Sequence, residues 1–315
     1  MNPIKSLSLI LTYTAICLTA SAQKGNLAYK LPPFEKSVLK NGLTVYLMEQ
    51  HEVPMINVSV VMPAGAIYDN QQSGLATMTA TSLMFGTKNM TKAKLEEELD
   101  FAGASVNTFS SKESAGLNAR FASKDRDKVF GIIRDILLSP TFDEKEFEKG
   151  KVLLLAQLDQ ATESPRSVIN SFFDQLYYTD HVYANPVNGR PSAVAKLTAA
   201  DAAKFYKSNY IPNASAIAVV GDFKAGDMKA KLSELFEGRE KGNSVSNVAS
   251  SSSQATNAAK VLLVNKSDAK ETTFIIGGPG VPRSNPDYVA MEVVNTVFGG
   301  RFTSWLNDEL RVNTG

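Results

Sequence analysis

The chain has 315 residues, 43% of them hydrophobic, which is enough for one large or two medium domains with packed cores. Its 33 Lys and Arg residues nearly balance 32 Asp and Glu residues, leaving a formal charge of +1. Because no part of the chain is strongly basic, we expect no nucleic-acid partner.

Residues 1–22 have the pattern of a secretory signal peptide. A lysine stands near the start, residues 7–18 are mostly apolar, and A-S-A at 20–22 offers a small-residue cleavage site. A membrane anchor is the alternative, but the apolar run is interrupted and shorter than the ~20 residues of a spanning helix. We therefore expect export to the periplasm or the extracellular space, without a stable membrane anchor. The one cysteine, Cys17, lies in this segment, so we expect no disulfide in the mature chain.

A first domain is predicted over residues 34–237, after a polar lead-in at 23–33. The dipeptide Asn41-Gly42, set between two alternating stretches, predicts a β-hairpin with a type I′ turn. Residues 56–62 are more continuously apolar and predict a central strand.

The stretch S-G-L-A-T-M-T-A-T-S-L-M-F-G-T at residues 73–87 predicts a buried helix. It is rich in small residues and nearly uncharged, and Gly74 and Gly86 mark its ends. Thr91 and Thr198 are predicted N-caps of later helices. The other predicted elements of this domain are strands at 104–110, 115–121 and 216–221 and helices at 92–102, 125–138, 144–162 and 199–207.

Residues 238–257 are Ser-rich and lack apolar periodicity, so they predict a flexible linker. The pattern then restarts over 258–315, with strands predicted at 260–265 and 272–277 and a helix at 288–298. Because strand, glycine turn and apolar helix recur in the same order, this predicts a second, homologous domain. Two unrelated domains are the alternative. The pattern stops part-way, so we expect the second domain to be incomplete and the chain to be a fragment of a longer protein or a truncated gene product.

Residues 74–87 resemble the G-L-A-H-x-x-E-H-x-x-F-x-G-T helix of the pitrilysin/insulinase (inverzincin) metallopeptidases. In that family two His residues four positions apart bind zinc, and the Glu is the general base. The resemblance places Thr77, Ala80 and Thr81 at these three positions. A threonine hydroxyl is a poor zinc ligand near neutral pH, and alanine cannot take a proton from water.

The third zinc ligand of the family is a Glu about 76 residues further along, which falls on Gln157. A further Glu of the family lies seven residues earlier, at the position of Gly150. Gln157 offers at most one weak carbonyl oxygen, and we interpret it as a polar residue facing the former cavity. The resemblance therefore implies no catalytic residue, no metal site and no cofactor in this chain, with zinc present in the active relatives.

Other parts of the family pattern are kept, and the resemblance spans about residues 34–315. The matching stretches lie at 178–194, 197–201, 209–213 and 298–306. One departure is Trp305, where the family usually has Arg, while Arg311 matches a substrate-contacting Arg. The implied fold is α+β, with duplicated two-layer domains in which a mixed or antiparallel sheet carries helices on one face, the second domain being truncated.

The resemblance implies a non-catalytic subunit, similar to the alpha subunit of mitochondrial processing peptidase, that pairs with a homologous active zinc-peptidase subunit. In the family an edge strand adds to an extended peptide, and the matching residues are Ala104, Ser105, Val106, Asn107 and Thr108. The alternative is that this strand only completes its sheet. Two other functions remain open: a zinc-dependent endopeptidase with atypical ligands, and a purely structural scaffold subunit.

The two histidines, His51 and His181, do not pair on one helix. We therefore expect each to be a surface or hydrogen-bonding residue rather than a metal ligand.

Overall fold

The computed structural model describes residues 32–243 and 259–314. The predicted signal peptide, nearly all of the lead-in and most of the linker lie outside the described residues. Among the helices of the described part, none is long and apolar enough to cross a membrane.

Six strands form one mixed sheet in the order β1-β2-β6-β3-β5-β4. The strands β2 and β6 are parallel, and all other neighbours are antiparallel. The last strand of the described residues, β6, thus lies between β2 and β3, leaving β1 and β4 at the edges. The strands are β1 (Glu35–Val38), β2 (Thr44–Glu49), β3 (Met55–Met62), β4 (Ser105–Ser110), β5 (Ala115–Ala122) and β6 (Ala216–Gly221).

The helices cover one face of the sheet, as side-chain burial along the strands shows. In β3, Ile56, Val58 and Val60 are buried, whereas the alternating residues Asn57 and Ser59 are exposed or half-buried. The same alternation runs along β5 and β6. The predicted α+β class, with a mixed sheet and helices on one face, is confirmed.

The α-helices of the described residues pack mainly on this buried face. Helix α8 packs against β2 and α3, and α3 packs against β5. They are α1 (Leu75–Ser82), α2 (Lys92–Phe101), α3 (Arg126–Leu138), α4 (Glu144–Ala161), α5 (Pro165–Tyr178), α6 (Pro191–Val194), α7 (Ala199–Asn209), α8 (Ala225–Phe236), α9 (Tyr288–Asn295) and α10 (Trp305–Asn307).

Both predicted N-caps are present. The Thr91 hydroxyl accepts the backbone N–H of Lys94 at the start of α2. Thr198 and Asp201 form a capping box at the start of α7, in which each side chain accepts the other residue's backbone N–H. These short-range hydrogen bonds explain why both helix starts are readable from the sequence.

The predicted hairpin forms between β1 and β2, but the type I′ turn at Asn41-Gly42 is wrong. Such a turn needs positive φ at both central residues, and only Gly42 has it, at 89°. Asn41 is 5% exposed, and its amide donates to the carbonyl oxygens of Phe236 (2.8 Å) and Arg239 (3.2 Å). A tertiary contact with the end of α8 therefore sets this turn.

The strands predicted at 260–265 and 272–277 do not form, since residues 259–287 contain no helix or strand. A strand needs a neighbour for its N–H and C=O groups, and neither segment pairs with a described strand. Their apolar side chains are exposed accordingly, with Leu263 at 90% and Ile276 at 73%.

The helix predicted at 288–298 is present as α9, which passes into a π-helical turn at Thr296–Gly300. Before α9, Gly277 lies against the ring of Phe173 on α5.

Candidate functional site

Helix α1, which carries the altered family motif, packs against α7, α4 and the edge strand β4. Its small side chains allow this close approach, and most of them are buried. The helix predicted at 73–87 is therefore present but shorter, at Leu75–Ser82, and the residues after it turn back to bridge Gly86 with Thr91.

The residues at the three motif positions carry no group suited to hydrolysis. The hydroxyl of Thr77 donates to the carbonyl oxygen of Val187 (2.6 Å), and that of Thr81 donates to the carbonyl oxygen of Thr77 (2.9 Å). Ala80 is only 2% exposed and has no ionisable group. Both hydroxyl protons are thus donated to backbone carbonyl oxygens, and none of these three side chains is a base that could accept a proton from water.

Gln157 lies on α4, the helix that packs against α1, and its side chain is exposed. Seven residues earlier, Gly150 faces Phe85, and a Cβ there would lie 2.5 Å from the Phe85 ring. A carboxylate-bearing residue at position 150 would therefore displace this ring.

The family's zinc ion does not fit the residues present. Hydroxyl, methyl and amide groups replace the two imidazoles and two carboxylates of the family. Across residues 32–243 and 259–314, no three His, Cys, Asp or Glu side chains are grouped so that they would hold a metal ion.

Asp69 holds the N-terminus of α1. Its carboxylate accepts the backbone N–H groups of Gly74 and Ala76, each at 2.7 Å, and the residue is 1% exposed. The N-cap residue itself, Gly74, has no side chain to do this. Burial raises the pKa of Asp69 to about 7, while the backbone N–H donors of Gly74, Leu75 and Ala76 act in the opposite direction.

We expect Asp69→Ala to lower the free energy of unfolding by about 1–3 kcal/mol, because two buried N–H groups lose their acceptor. Asp69→Asn turns an NH₂ group toward one of these donors and should give an intermediate loss. The folded pKa lies above its ordinary value of 3.8, so ionisation of Asp69 disfavours the folded state as the pH rises through about 4 to 7.

Urea unfolding at about pH 5 and about pH 8 measures both effects. The fall in stability caused by Asp69 should be absent from Asp69→Asn, which cannot titrate. An identical pH profile for wild type and Asp69→Asn would contradict this role for the carboxyl group.

Strand β4 has a free outer edge beside α1. It pairs with β5 on one side, with Ser105 opposite Arg120 and Asn107 opposite Asn118. Residues 105–110 make no further backbone–backbone hydrogen bond to any described residue. The N–H and C=O groups along the outer edge are therefore available to an extended chain.

The predicted peptide-binding stretch maps onto this edge almost completely. Ser105, Val106, Asn107 and Thr108 lie in β4. Ala104 precedes the strand, and its N–H donates to the carbonyl oxygen of Leu99 (2.9 Å), which closes the turn after α2.

The turn between β4 and β5 is anchored by residues that were not predicted from the sequence. The ammonium group of Lys112 donates to the carbonyl oxygens of Tyr183 and Asn185, each at 2.7 Å, and pairs with Asp174 at 2.7 Å. The Tyr183 hydroxyl donates to Glu113. These contacts fix the turn at the end of β4 to α5 and to the segment that follows α5. The only sequence signal was that Tyr183 lies in the family-like stretch 178–194.

Arg311, the other predicted peptide contact, is not brought to this edge. Its guanidinium carbon lies 4.6 Å from the centre of the Phe302 ring. No hydrogen bond or ion pair of the described residues links it to β4.

The two histidines form hydrogen bonds with neighbouring side chains and backbone. His51 contacts Asp222 (Nδ1 to Oδ1, 2.8 Å) and Glu49 (Nε2 to Oε2, 3.2 Å), and these carboxylates raise its pKa. The two ring nitrogens of His51 contact two different carboxylates, so they do not converge on one metal-binding position. His181 accepts the backbone N–H of Tyr183 through Nδ1 (3.3 Å).

Family models match almost all of the described chain. The model of the insulinase family (peptidase family M16) matches residues 44–189, and the model of the peptidase M16 inactive domain matches residues 196–315. The chain belongs to peptidase family M16. The predicted resemblance is confirmed, and α1 lies within the first match while β6 lies within the second. The two M16 matches therefore meet inside one continuous sheet.

Relatives in this family differ in their names. The chain is 25% identical over 284 residues to an uncharacterized zinc protease of Rickettsia felis. The match covers 90% of this chain and 68% of the relative. It is 25% identical over 291 residues to cytochrome b-c1 complex subunit 1 of Bos taurus, with 90% and 60% covered. M16 sequences of similar distance thus include both a chain named as a protease and a subunit of a complex.

Two solved structures resemble this fold. A crystal structure of a peptidase M16 inactive domain from Pseudomonas fluorescens superimposes with a TM-score of 0.74 at 21% identity and covers 89% of this chain and 68% of that one. A protease from Helicobacter pylori gives a TM-score of 0.75, also at 21% identity, with the same coverage of each chain. At this identity the likeness concerns the fold alone.

Proposed function

We propose that this chain is a non-catalytic M16 subunit that holds extended peptides along β4 and pairs with a homologous, active zinc-peptidase subunit. The observation that carries the proposal is a free strand edge beside a motif helix with Thr77, Ala80 and Thr81 in place of the zinc ligands and the base. Edge pairing needs backbone N–H and C=O groups only, so it survives the loss of the metal. No cofactor is expected in this chain; zinc would belong to the partner.

Two arguments support the proposed pairing, one from the side chains at the motif positions and one from a relative of this chain. A chain without a metal or a base has no means of its own to cleave the peptide it holds, so an active partner would supply that step. The relative named cytochrome b-c1 complex subunit 1 is a member of an assembly, which supports a subunit role. We place the pair outside the cytoplasm because residues 1–22 have the pattern of an export signal.

Fluorescence anisotropy with labelled, unstructured peptides tests the peptide-holding role. The purified chain should bind a strand-forming peptide without cleaving it, and a chelator should not change the affinity. N-methylation of two adjacent central residues removes an N–H donor from both edges of the peptide and should weaken binding roughly tenfold. N-methylation of two residues separated by one leaves one edge intact and is the matched control, with affinity nearly unchanged.

Pairing is tested by light scattering with an M16 protein from the same organism that retains H-x-x-E-H. A stable pair with enhanced peptide cleavage is the expected result. Chelator-sensitive cleavage by this chain alone would instead establish an endopeptidase with atypical ligands. A stable pair in which this chain has no peptide affinity would establish a structural scaffold.

A further inference from the structure

The sheet face turned away from the helices carries a groove that begins at the edge strand β4. It extends across β4, β5, β3 and β6, and its volume is about 300 Å³. The side chains that define its chemistry are Asn57, Ser59, Ser105, Asn107, Asn118 and Arg120.

Strand register arranges these side chains in two rows. In the first row, Arg120 on β5 lies between Ser105 on β4 and Asn57 on β3. In the second, Asn118 lies between Asn107 and Ser59 on the same strands. Because residues directly opposite each other share a face, both rows continue to the free edge of β4.

The groove has one charged side chain. Arg120 is exposed, and no acidic residue lines the groove with it. Among the ion pairs and side-chain hydrogen bonds of the described residues, none involves its guanidinium. Ser105, the residue between Arg120 and the free edge, is too short to block the path of a longer side chain. The groove is therefore complementary to an anion that arrives over the edge of β4.

We propose that Arg120 binds the carboxylate of a Glu side chain in the extended peptide, at the position paired opposite Ser105. This assignment rests on the proposed peptide-holding role of β4. Neighbouring strands are about 4.8 Å apart, so the peptide backbone would lie two spacings, about 10 Å, from that of Arg120. Glu and Arg side chains together cover that distance. Arg120 thus favours peptides with Glu at this position over those with the uncharged Gln.

The test compares three peptides that differ only at one central position, which is Glu, Gln or Lys, and that have no other charged group. Fluorescence anisotropy measures their binding to the full chain. Free peptides can shift along the edge, so the Glu can find its place opposite Ser105. We expect the Glu peptide to bind about 3- to 10-fold more tightly than the Gln peptide at low salt, and the ratio to fall as salt is added. Arg120→Gln should reduce the ratio to about one, and Arg120→Glu should favour the Lys peptide.

Lys124→Gln is the matched control, because it removes the same charge from an exposed residue outside the groove. It should leave the Glu preference intact. If the Gln peptide binds but wild type and Arg120→Gln show the same Glu-to-Gln ratio, the role of Arg120 is overturned while the proposed peptide binding stands. If none of the peptides binds the wild-type chain, both are overturned.

Discussion

Replacing Phe121 with alanine is expected to lower the free energy of unfolding by about 3–5 kcal/mol. Phe121 lies on β5, is completely buried, and packs edge-on against Phe130 of α3 with ring centroids 5.6 Å apart. Its removal leaves a cavity between the sheet and its main helix layer, and it also removes an aromatic pair. Urea unfolding followed by circular dichroism measures the change.

Phe101 is the matched control for this substitution. It is 87% exposed and contacts the ammonium group of Lys128, 4.7 Å from its ring centre. Phe101→Ala should therefore cost less than about 1 kcal/mol, the range of an exposed cation–π contact. A similar, small loss for both variants would mean that the β5–α3 layer is not the core of the fold.

Features that depend on residues close in the chain were predictable from the sequence. The caps at Thr91 and Thr198 are hydrogen bonds over three residues, and both are present. The strand pair β4–β5 is also local, since four residues separate its strands. Local propensity and local hydrogen bonds point to the same structure at these positions.

Features set by distant contacts were not predictable. The turn at Asn41 is determined by carbonyl oxygens of Phe236 and Arg239, nearly 200 residues away. Helix α5 is a separate case, because its apolar side chains do share one face and it was nevertheless not predicted; none of its residues is buried. Residues 260–265 have strand composition but no neighbouring strand to pair with among the described residues.

The candidate site also has one part that was predictable from the sequence and one part that was not. The resemblance to the family motif places Thr77, Ala80 and Thr81 on one helix, and the interval known from the family leads to Gln157 on the helix that packs against it. The groove around Arg120 is different, because it exists only through the register of β3, β4 and β5. A residue such as Arg120, on the strand next to the edge strand, has no signature in a linear motif.

The triple variant Thr77→His, Thr81→His and Gln157→Glu is expected to gain zinc binding, which we do not expect of the wild-type chain. Positions 77 and 81 are four residues apart and so lie on one face of α1, and α1 packs against α4, which carries Gln157. Two imidazoles and one carboxylate form a common zinc ligand set. Zinc at about 100 times its dissociation constant would stabilise the variant by about 2.7 kcal/mol, or roughly 5–10 °C in Tm.

Ala80 stays unchanged in this variant, so metal binding is measured apart from cleavage. Thermal unfolding with and without zinc gives the result, and a chelator should reverse the shift. A variant that carries only Thr77→His and Gln157→Glu has two ligands and should respond much less. If zinc does not raise the Tm of the triple variant, α1 and α4 no longer hold the spacing of an M16 metal site. If the wild-type chain is stabilised equally, its own side chains bind the ion, and loss of the metal cannot be the reason for a non-catalytic role.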